Sequence, residues 1–112
     1  MKVDSHLSQD WHKIPAQARA LEAEGYDGAG TAEMNHDPFF PLLLAAEHSD
    51  KMRIYTSIAV AFARSPMVLA NIGHDLNAYS RGRFTMGLGS QIRPHITKRF
   101  SMPWGAPAEQ MK

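Results

Sequence analysis

The sequence predicts an α/β fold with parallel strands, equivalent to about the first four β/α units of a partial (β/α)8 (TIM) barrel. Strand-like segments begin near residues 2, 28, 53 and 83, and one helical pattern separates each from the next. Strands joined through a single helix pair in parallel with right-handed crossovers. A complete barrel needs roughly 250 residues, so 112 residues amount to about half. The pattern alone also fits an open doubly wound sheet.

The first unit combines a short strand, Lys2–Leu7, with a helix that has Pro15 in its first turn. Proline is well tolerated there because its missing N–H would have no partner. One face of this helix carries apolar residues at spacings of four and three, namely Ile14, Ala18 and Leu21. Gly25 is the expected end of the helix.

The second unit has the least distinctive strand, Gly28–Ala32, which is predicted from its place between two helices. Asp37 and Pro38 suit the cap and first residue of a helix that continues through Leu42–His48. The third strand, Arg53–Val60, is rich in β-branched and aromatic residues.

Ser65 and Pro66 repeat the cap-plus-proline start of a helix. Its apolar residues recur at spacings of three, four and three, and they are Leu69, Ile72, Leu76 and Tyr79. Gly82 is the expected end of this helix, and Arg83–Leu88 is predicted as the fourth strand.

The composition indicates a soluble cytoplasmic protein. Twelve Lys and Arg residues against eleven Asp and Glu leave a formal charge of +1, which provides no electrostatic surface for nucleic acid or an anionic membrane. The absence of cysteine excludes disulfides, zinc–thiolate sites and thiol catalysis. The N-terminal residues lack the apolar core of a signal peptide, and the longest apolar run, residues 38–46, is too short to span a membrane.

Glu33 and His36 follow the second strand, on the face where barrel enzymes build their active sites. A carboxylate and an imidazole in this place can act as acid, base or substrate clamp. The alternative interpretation is that Glu33 is a solvated loop residue and that Asp37 only caps the next helix. The residues by themselves leave both interpretations open.

Asp4 and His6 raise a further alternative, a metal-dependent hydrolase barrel. Two residues apart on a strand, their side chains point to the same face. Such hydrolases normally carry another histidine two positions later, where this chain has Ser8. We therefore predict no metal site and interpret the pair as polar residues at a strand end.

Gly87 and Gly89 after the fourth strand allow a backbone to approach a phosphate or a flat ring closely. They do not form the dinucleotide-binding fingerprint, because its third glycine is missing and the segment follows strand four.

Taken together, six blocks resemble the luciferase-like monooxygenase superfamily, and its deazaflavin-dependent branch in particular. They are Gly-Tyr-Asp-Gly at 25–28, Thr-Ala-Glu at 31–33, Thr-Ser-Ile-Ala-Val at 56–60, Arg-Ser-Pro at 64–66, Tyr-Ser-Arg-Gly-Arg-Phe at 79–84 and Gly-Leu-Gly at 87–89. The resemblance implies a TIM barrel, of which this chain would be the N-terminal half, residues 1–112. It also implies an oxidoreductase that uses coenzyme F420 or FMN for hydride transfer or monooxygenation of a small organic substrate.

The resemblance further implies site residues. It makes Glu33 and His36 catalytic, although the family's histidine follows the acidic residue at a shorter spacing. It places a non-proline cis peptide between Ser57 and Ile58, where the bulge backs the cofactor ring. The cofactor-binding residues that it implies are Ser57, Ile58, Gly87, Gly89 and Ser90. Gly30 departs from the family, which commonly has a bulky residue there, and this difference is expected to loosen the second strand.

Two expectations concern the isolated chain. We expect no turnover from it alone, because catalysis depends on groups from several strand ends; a non-catalytic, truncated half-barrel is the alternative function. We also expect a homo-oligomer or other self-association, because half a barrel leaves strand edges unpaired.

Overall fold

The computed structural model describes residues 2–34 and 36–89. Strands and helices alternate in the predicted order. The elements are β1 Asp4–His6, α1 Ile14–Ala23, β2 Gly28–Thr31, α2 Phe40–Glu47, β3 Arg53–Thr56, β4 Ala59–Val60, α3 Pro66–Tyr79, β5 Phe84–Thr85 and β6 Leu88–Gly89, with 3₁₀ turns at Trp11–Lys13 and Ala61–Ala63.

The main sheet has four parallel strands in the order β1-β2-β3-β5, and β4 and β6 form a second parallel pair. Gly28 lies opposite Asp4 on one side and Arg53 on the other. The predicted parallel α/β architecture is therefore confirmed, including β2, the strand with the weakest sequence signal. All four of its residues are buried, because β2 is paired on both sides.

The core lies between the sheet and the three helices. The predicted face of α1 is buried, and the sheet contributes Ala29 and Ile54. In α3, Leu69 and Leu76 are buried as predicted. Tyr79 is 52% exposed, so its assignment to the buried stripe was wrong; it is the last residue of α3. Among the described helices, none combines the length and apolar character needed to cross a membrane.

The predicted helix caps are confirmed at two starts, with one shift. Ser65 Oγ accepts a hydrogen bond from the N–H of Val68 at 3.2 Å. The second helix begins at Phe40, two residues later than predicted. Asp37 still serves its start, because Asp37 Oδ2 accepts hydrogen bonds from the N–H groups of Phe39 and Phe40, both at 2.7 Å.

The third and fourth predicted strands are each divided in two. β3 ends at Thr56 and β4 begins at Ala59, while β5 ends at Thr85 and β6 begins at Leu88. The hydroxyl of Thr56 joins the two breaks, because it bonds to both backbone groups of Gly87, whose carbonyl oxygen also accepts from the N–H of Ala59. Thr56 Oγ1 donates to the carbonyl oxygen of Gly87 and accepts from its N–H, both at 2.8 Å.

At the amino ends of the strands, two charged side chains fix the segment between α2 and β3. The Arg83 guanidinium donates to the carbonyl oxygens of Ala46, Ser49 and Met52. The Glu22 carboxylate accepts from three successive backbone N–H groups, those of residues 50–52, at 2.8 to 3.0 Å. These side chains supply the partners that the turn's own backbone lacks.

The Glu22 contacts predict a pH-dependent contribution to stability. Partial burial raises the pKa of Glu22, but the three N–H donors and the charge of Arg83 together lower it below its usual 4.5. A depressed folded-state pKa stabilises the fold above the unfolded value and loses this effect as pH falls through the folded value. We expect Glu22→Gln to lower the free energy of unfolding by about 1 kcal/mol at pH 7, with the difference vanishing well below pH 4.5.

Denaturant unfolding at several pH values measures this difference, with Glu24→Gln as the control, because Glu24 is exposed on the same helix end. A Glu22→Gln effect that stays constant from pH 7 to pH 3 would contradict the assignment.

Candidate functional site

Three of the predicted cofactor-binding residues lie around one cavity. Ser57, Ile58 and Gly87 line a space of about 380 Å³ at the carboxyl end of β3. The same cavity extends along the sheet past Tyr55 and Arg53, on the face opposite the buried Ile54. Ligand sites commonly have volumes of about 300–1,000 Å³, so the space is large enough for a flat ring system.

One end of this cavity is the bulge between β3 and β4, where Ser57 and Ile58 are joined by the expected cis peptide bond. The bulge is hydrogen-bonded to strands on both sides. Ser57 donates its N–H to the carbonyl oxygen of Thr31 at 2.6 Å, and Ala59 donates to that of Gly87 at 2.8 Å. Its position is therefore fixed by the neighbouring strand ends.

The glycines after β5 are required by contacts within the chain. A Cβ added at Gly87 would lie 2.3 Å from the carbonyl oxygen of Thr56, and one at Gly89 would lie 1.8 Å from Ile58 Cδ1. Gly87 must therefore lack a side chain because it meets backbone, whereas a side chain at position 89 would displace the end of the Ile58 side chain. Contact of Gly87 and Gly89 with a cofactor stays a prediction, and Ser90 lies outside the described residues.

Glycines in β2 leave room for one side chain from each of its neighbouring strands, β1 and β3. A Cβ at Gly30 would lie 2.4 Å from Cε2 of Tyr55, and one at Gly28 would lie 2.8 Å from Oδ1 of Asp4. The ring of Tyr55 thus occupies the space that the absent side chain of residue 30 leaves, and β2 stays paired on both sides. Burial raises the pKa of Tyr55, as do the charge of Asp4 and its hydrogen bond.

Glu33 is buried, with 6% of its surface exposed, so its interpretation as a solvated loop residue was wrong. Its Oε1 accepts from the N–H of Val60 and from Nη1 of Arg64, both at 2.7 Å, and its Oε2 accepts from Nη2 of Arg64 at 2.5 Å. Hydrogen bonding to Glu33 raises the pKa of Arg64, although burial opposes this. Both carboxylate oxygens are therefore engaged within the chain.

Arg64 also contacts the loop that leads into α2. Its Nη2 lies 3.5 Å from Oδ1 of Asp37, and its Cζ lies 5.0 Å from the centre of the Phe39 ring, within the range of a cation–π contact. The guanidinium thus joins the segments that follow β2 and β4.

His36 lies apart from this ion pair. Its ring is exposed, meets Trp11 edge-on with centres 6.2 Å apart, and lines a second cavity of about 270 Å³. His6 and Asp37 line the same cavity, and Glu33 does not. The two residues predicted as catalytic are therefore not brought into one described cavity, and their catalytic roles stay predictions.

Asp4 and His6 face different spaces. Asp4 lines the larger cavity and His6 the smaller one. Within residues 2–34 and 36–89, no three histidine, aspartate or glutamate side chains converge as metal ligands would. The geometry therefore gives the metal-dependent hydrolase alternative no support in this part of the chain.

Sequence reasoning gave no role to Arg64 or Tyr55. Arg64 belongs to the Arg-Ser-Pro block, and an arginine between a buried segment and a helix cap was the available signal for a buried ion pair. Tyr55 had a weaker signal, an aromatic residue one strand away from two glycines.

The buried ion pair predicts an asymmetric effect of substitution. Arg64→Met removes the cation that pairs with the buried Glu33 carboxylate, which we expect to cost about 3–5 kcal/mol of unfolding free energy. The double variant Glu33→Gln/Arg64→Met removes both charges and should be more stable than Arg64→Met alone. Denaturant unfolding measures the cycle, with Arg19→Met as an exposed control that costs less than about 1 kcal/mol. Additive effects of the two substitutions would show that the residues do not interact.

Three curated relatives match the whole chain. They are uncharacterized proteins, one of Mycobacterium bovis and two of Mycobacterium tuberculosis, each 56% identical over 112 residues. The chain spans 33% of the length of these relatives.

Solved structures share the fold at low sequence identity. A monooxygenase of Streptomyces bottropensis has a TM-score of 0.81 and 20% identity, with 99% of this chain and 39% of that chain covered. The FMN complex of the oxygenating constituent of 3,6-diketocamphane monooxygenase from Pseudomonas putida has a TM-score of 0.78 and 15% identity, with 89% of this chain and 32% of that chain covered. The coenzyme F420-dependent tetrahydromethanopterin reductase of Methanopyrus kandleri has a TM-score of 0.75 and 21% identity, with 93% of this chain and 30% of that chain covered.

These likenesses confirm the predicted partial TIM barrel. The family model for luciferase-like monooxygenases matches residues 2–112, and the chain therefore belongs to the luciferase-like monooxygenase family.

Proposed function

We propose that this chain is the N-terminal part of an oxidoreductase that uses FMN or coenzyme F420 to act on a small organic substrate. The observation that carries the proposal is that Ser57, Ile58 and Gly87 line one and the same cavity. Membership of the family supports it, as do the FMN complex and the F420-dependent reductase among the similar structures. The chain spans a third of its curated relatives, so the proposed activity is that of the whole protein.

The described residues fit a planar cofactor ring. Ile58 and the backbone of the bulge form one wall of the cavity, and Gly87 forms another without a side chain. The cofactor supplies the redox chemistry, and the protein positions the reactive ring and excludes competing reactions. Tyr55, which is hydrogen-bonded to Asp4, lines the same cavity further along the sheet.

The proposed substrate contacts lie at the smaller cavity. His36 is exposed there beside Trp11, and an imidazole in this position can donate or accept a hydrogen bond. Glu33 would reach a substrate only by sharing an oxygen now bonded to Arg64 or Val60. A direct role for Glu33 therefore requires the ion pair to rearrange.

Cofactor titration tests the proposal. We expect FMN or F420 fluorescence to be quenched on addition of the protein, with Ser57→Phe weakening binding by about tenfold or more, equivalent to ~1.4 kcal/mol, because the new ring enters the cavity. Met67→Phe is the matched control, since Met67 is 69% exposed on α3. If neither cofactor binds, or if both variants behave alike, the proposed site is wrong.

We also propose that the 112-residue chain self-associates through its strand edges. Among the described strands, β1 and β5 lie at the edges of the main sheet, and unpaired edges invite pairing with another chain. Sedimentation at micromolar concentration should show a dimer or a larger species. A sharp monomer of 12.5 kDa with cooperative unfolding would refute this.

A further inference from the structure

We propose that Glu33 and Arg64 are positioning residues, which hold the wall of the cofactor cavity without contacting the cofactor. We call these two residues the clamp. The inference rests on the proposed function for its consequence, cofactor binding, but the clamp itself is tested independently of any cofactor.

The clamp holds the bulge through two separate hydrogen bonds. The N–H of Glu33 donates to the carbonyl oxygen of Ile58 at 3.1 Å, and the Glu33 carboxylate accepts from the N–H of Val60 at 2.7 Å. One residue thus fixes the backbone at positions 58 and 60, on both sides of Ala59. Ile58 in turn lines the cavity, so a shift of Glu33 would be passed directly to its wall.

Arg64 fixes the carboxylate in this position. Its two terminal nitrogens donate one to each oxygen of Glu33, and such paired, charge-assisted hydrogen bonds set orientation as well as energy. The side chains of Glu33 and Arg64 are 5% and 15% exposed. A carboxylate this deeply buried would reorient towards water if its cation were removed, and it would release the N–H of Val60 as it did so.

Arg64 is itself held from a third segment. The ring of Phe39 lies against its guanidinium, and Asp37 contacts it at 3.5 Å. Both residues belong to the loop before α2, and Asp37 also lines the cavity of His36. The clamp therefore ties the wall of one cavity to the rim of the other, which suits a site where cofactor and substrate must meet at a fixed distance.

Direct chemistry by Glu33 explains these contacts less well. Both of its oxygens are engaged by Arg64 and Val60, and Glu33 lines neither of the two cavities. The observed geometry favours action through Ile58.

Amide hydrogen exchange of the cofactor-free protein tests the clamp. In Arg64→Met, we expect protection of the Ala59 and Val60 amides to fall by about tenfold or more, because the local hydrogen bonds open. Protection in β2 should change much less. Arg64→Lys keeps the charge with a single donor group and should restore part of the protection.

The matched control is Arg83→Met, which removes an arginine from the opposite edge of the sheet. It should expose the amides near residues 50–52 and leave those of 59 and 60 protected. Glu33→Gln provides a second test if Arg64→Met fails to fold, because it keeps an acceptor oxygen but loses the charge. It should also increase exchange at residue 60.

FMN and F420 titration of the same variants tests the consequence. We expect Arg64→Met to weaken binding by about tenfold, with partial recovery in Arg64→Lys and little change in Arg83→Met.

Unchanged exchange at 59 and 60 in both Arg64→Met and Glu33→Gln would overturn the clamp. Looser exchange with unchanged cofactor affinity would overturn the positioning role. A wild-type protein that binds neither cofactor would instead refute the proposed function, and the exchange results would still decide whether the clamp exists.

Discussion

The carboxyl edge of this sheet, where its strands end, depends on one buried ion pair. Glu33 and Arg64 come from loops after different strands, and the Glu33 carboxylate also accepts a hydrogen bond from the N–H of Val60. Burying charge is costly unless the partner and the remaining hydrogen bonds are all in place. Both oxygens of Glu33 have such partners. Because all of these partners must be in place together, few arrangements of the two loops are allowed. The pair adds geometric constraint where a hydrophobic contact would tolerate sliding.

The glycines add a steric constraint to this electrostatic one. Gly87 and Gly89 let the end of the fourth strand press against Thr56 and Ile58, so the bulge is confined between that strand and the clamp. On the open face of the sheet, Gly30 gives its space to the ring of Tyr55. The shape of the larger cavity thus follows from where side chains are missing as much as from where they are present.

Local patterns in the sequence were enough to predict the alternating strands and helices, since periodicity, cap residues and glycine stops are short-range signals. They were not enough for the breaks in the third and fourth strands, because the contacts there join Thr56 to Gly87, 31 residues away. The same limit applies to the site. The family resemblance implied Ser57, Ile58 and Gly87, which share a cavity, but the sequence around Arg64 does not say that Glu33, 31 residues away, is its partner.

The sheet is held by the same kind of contact at its amino edge, where the strands begin, and at its carboxyl edge, where they end. In each case a charged side chain satisfies backbone groups in a neighbouring segment. At the amino edge, Glu22 accepts from residues 50–52 and Arg83 donates to carbonyl oxygens. At the carboxyl edge, Glu33 and Arg64 do the same for the bulge that lines a cavity. Because the two sets share no residue, substitutions at the amino edge should alter stability and leave the bulge in place. Substitutions at the carboxyl edge should alter both stability and the shape of the site. The position of a stabilising contact, and not its energy, therefore decides whether the contact matters for function.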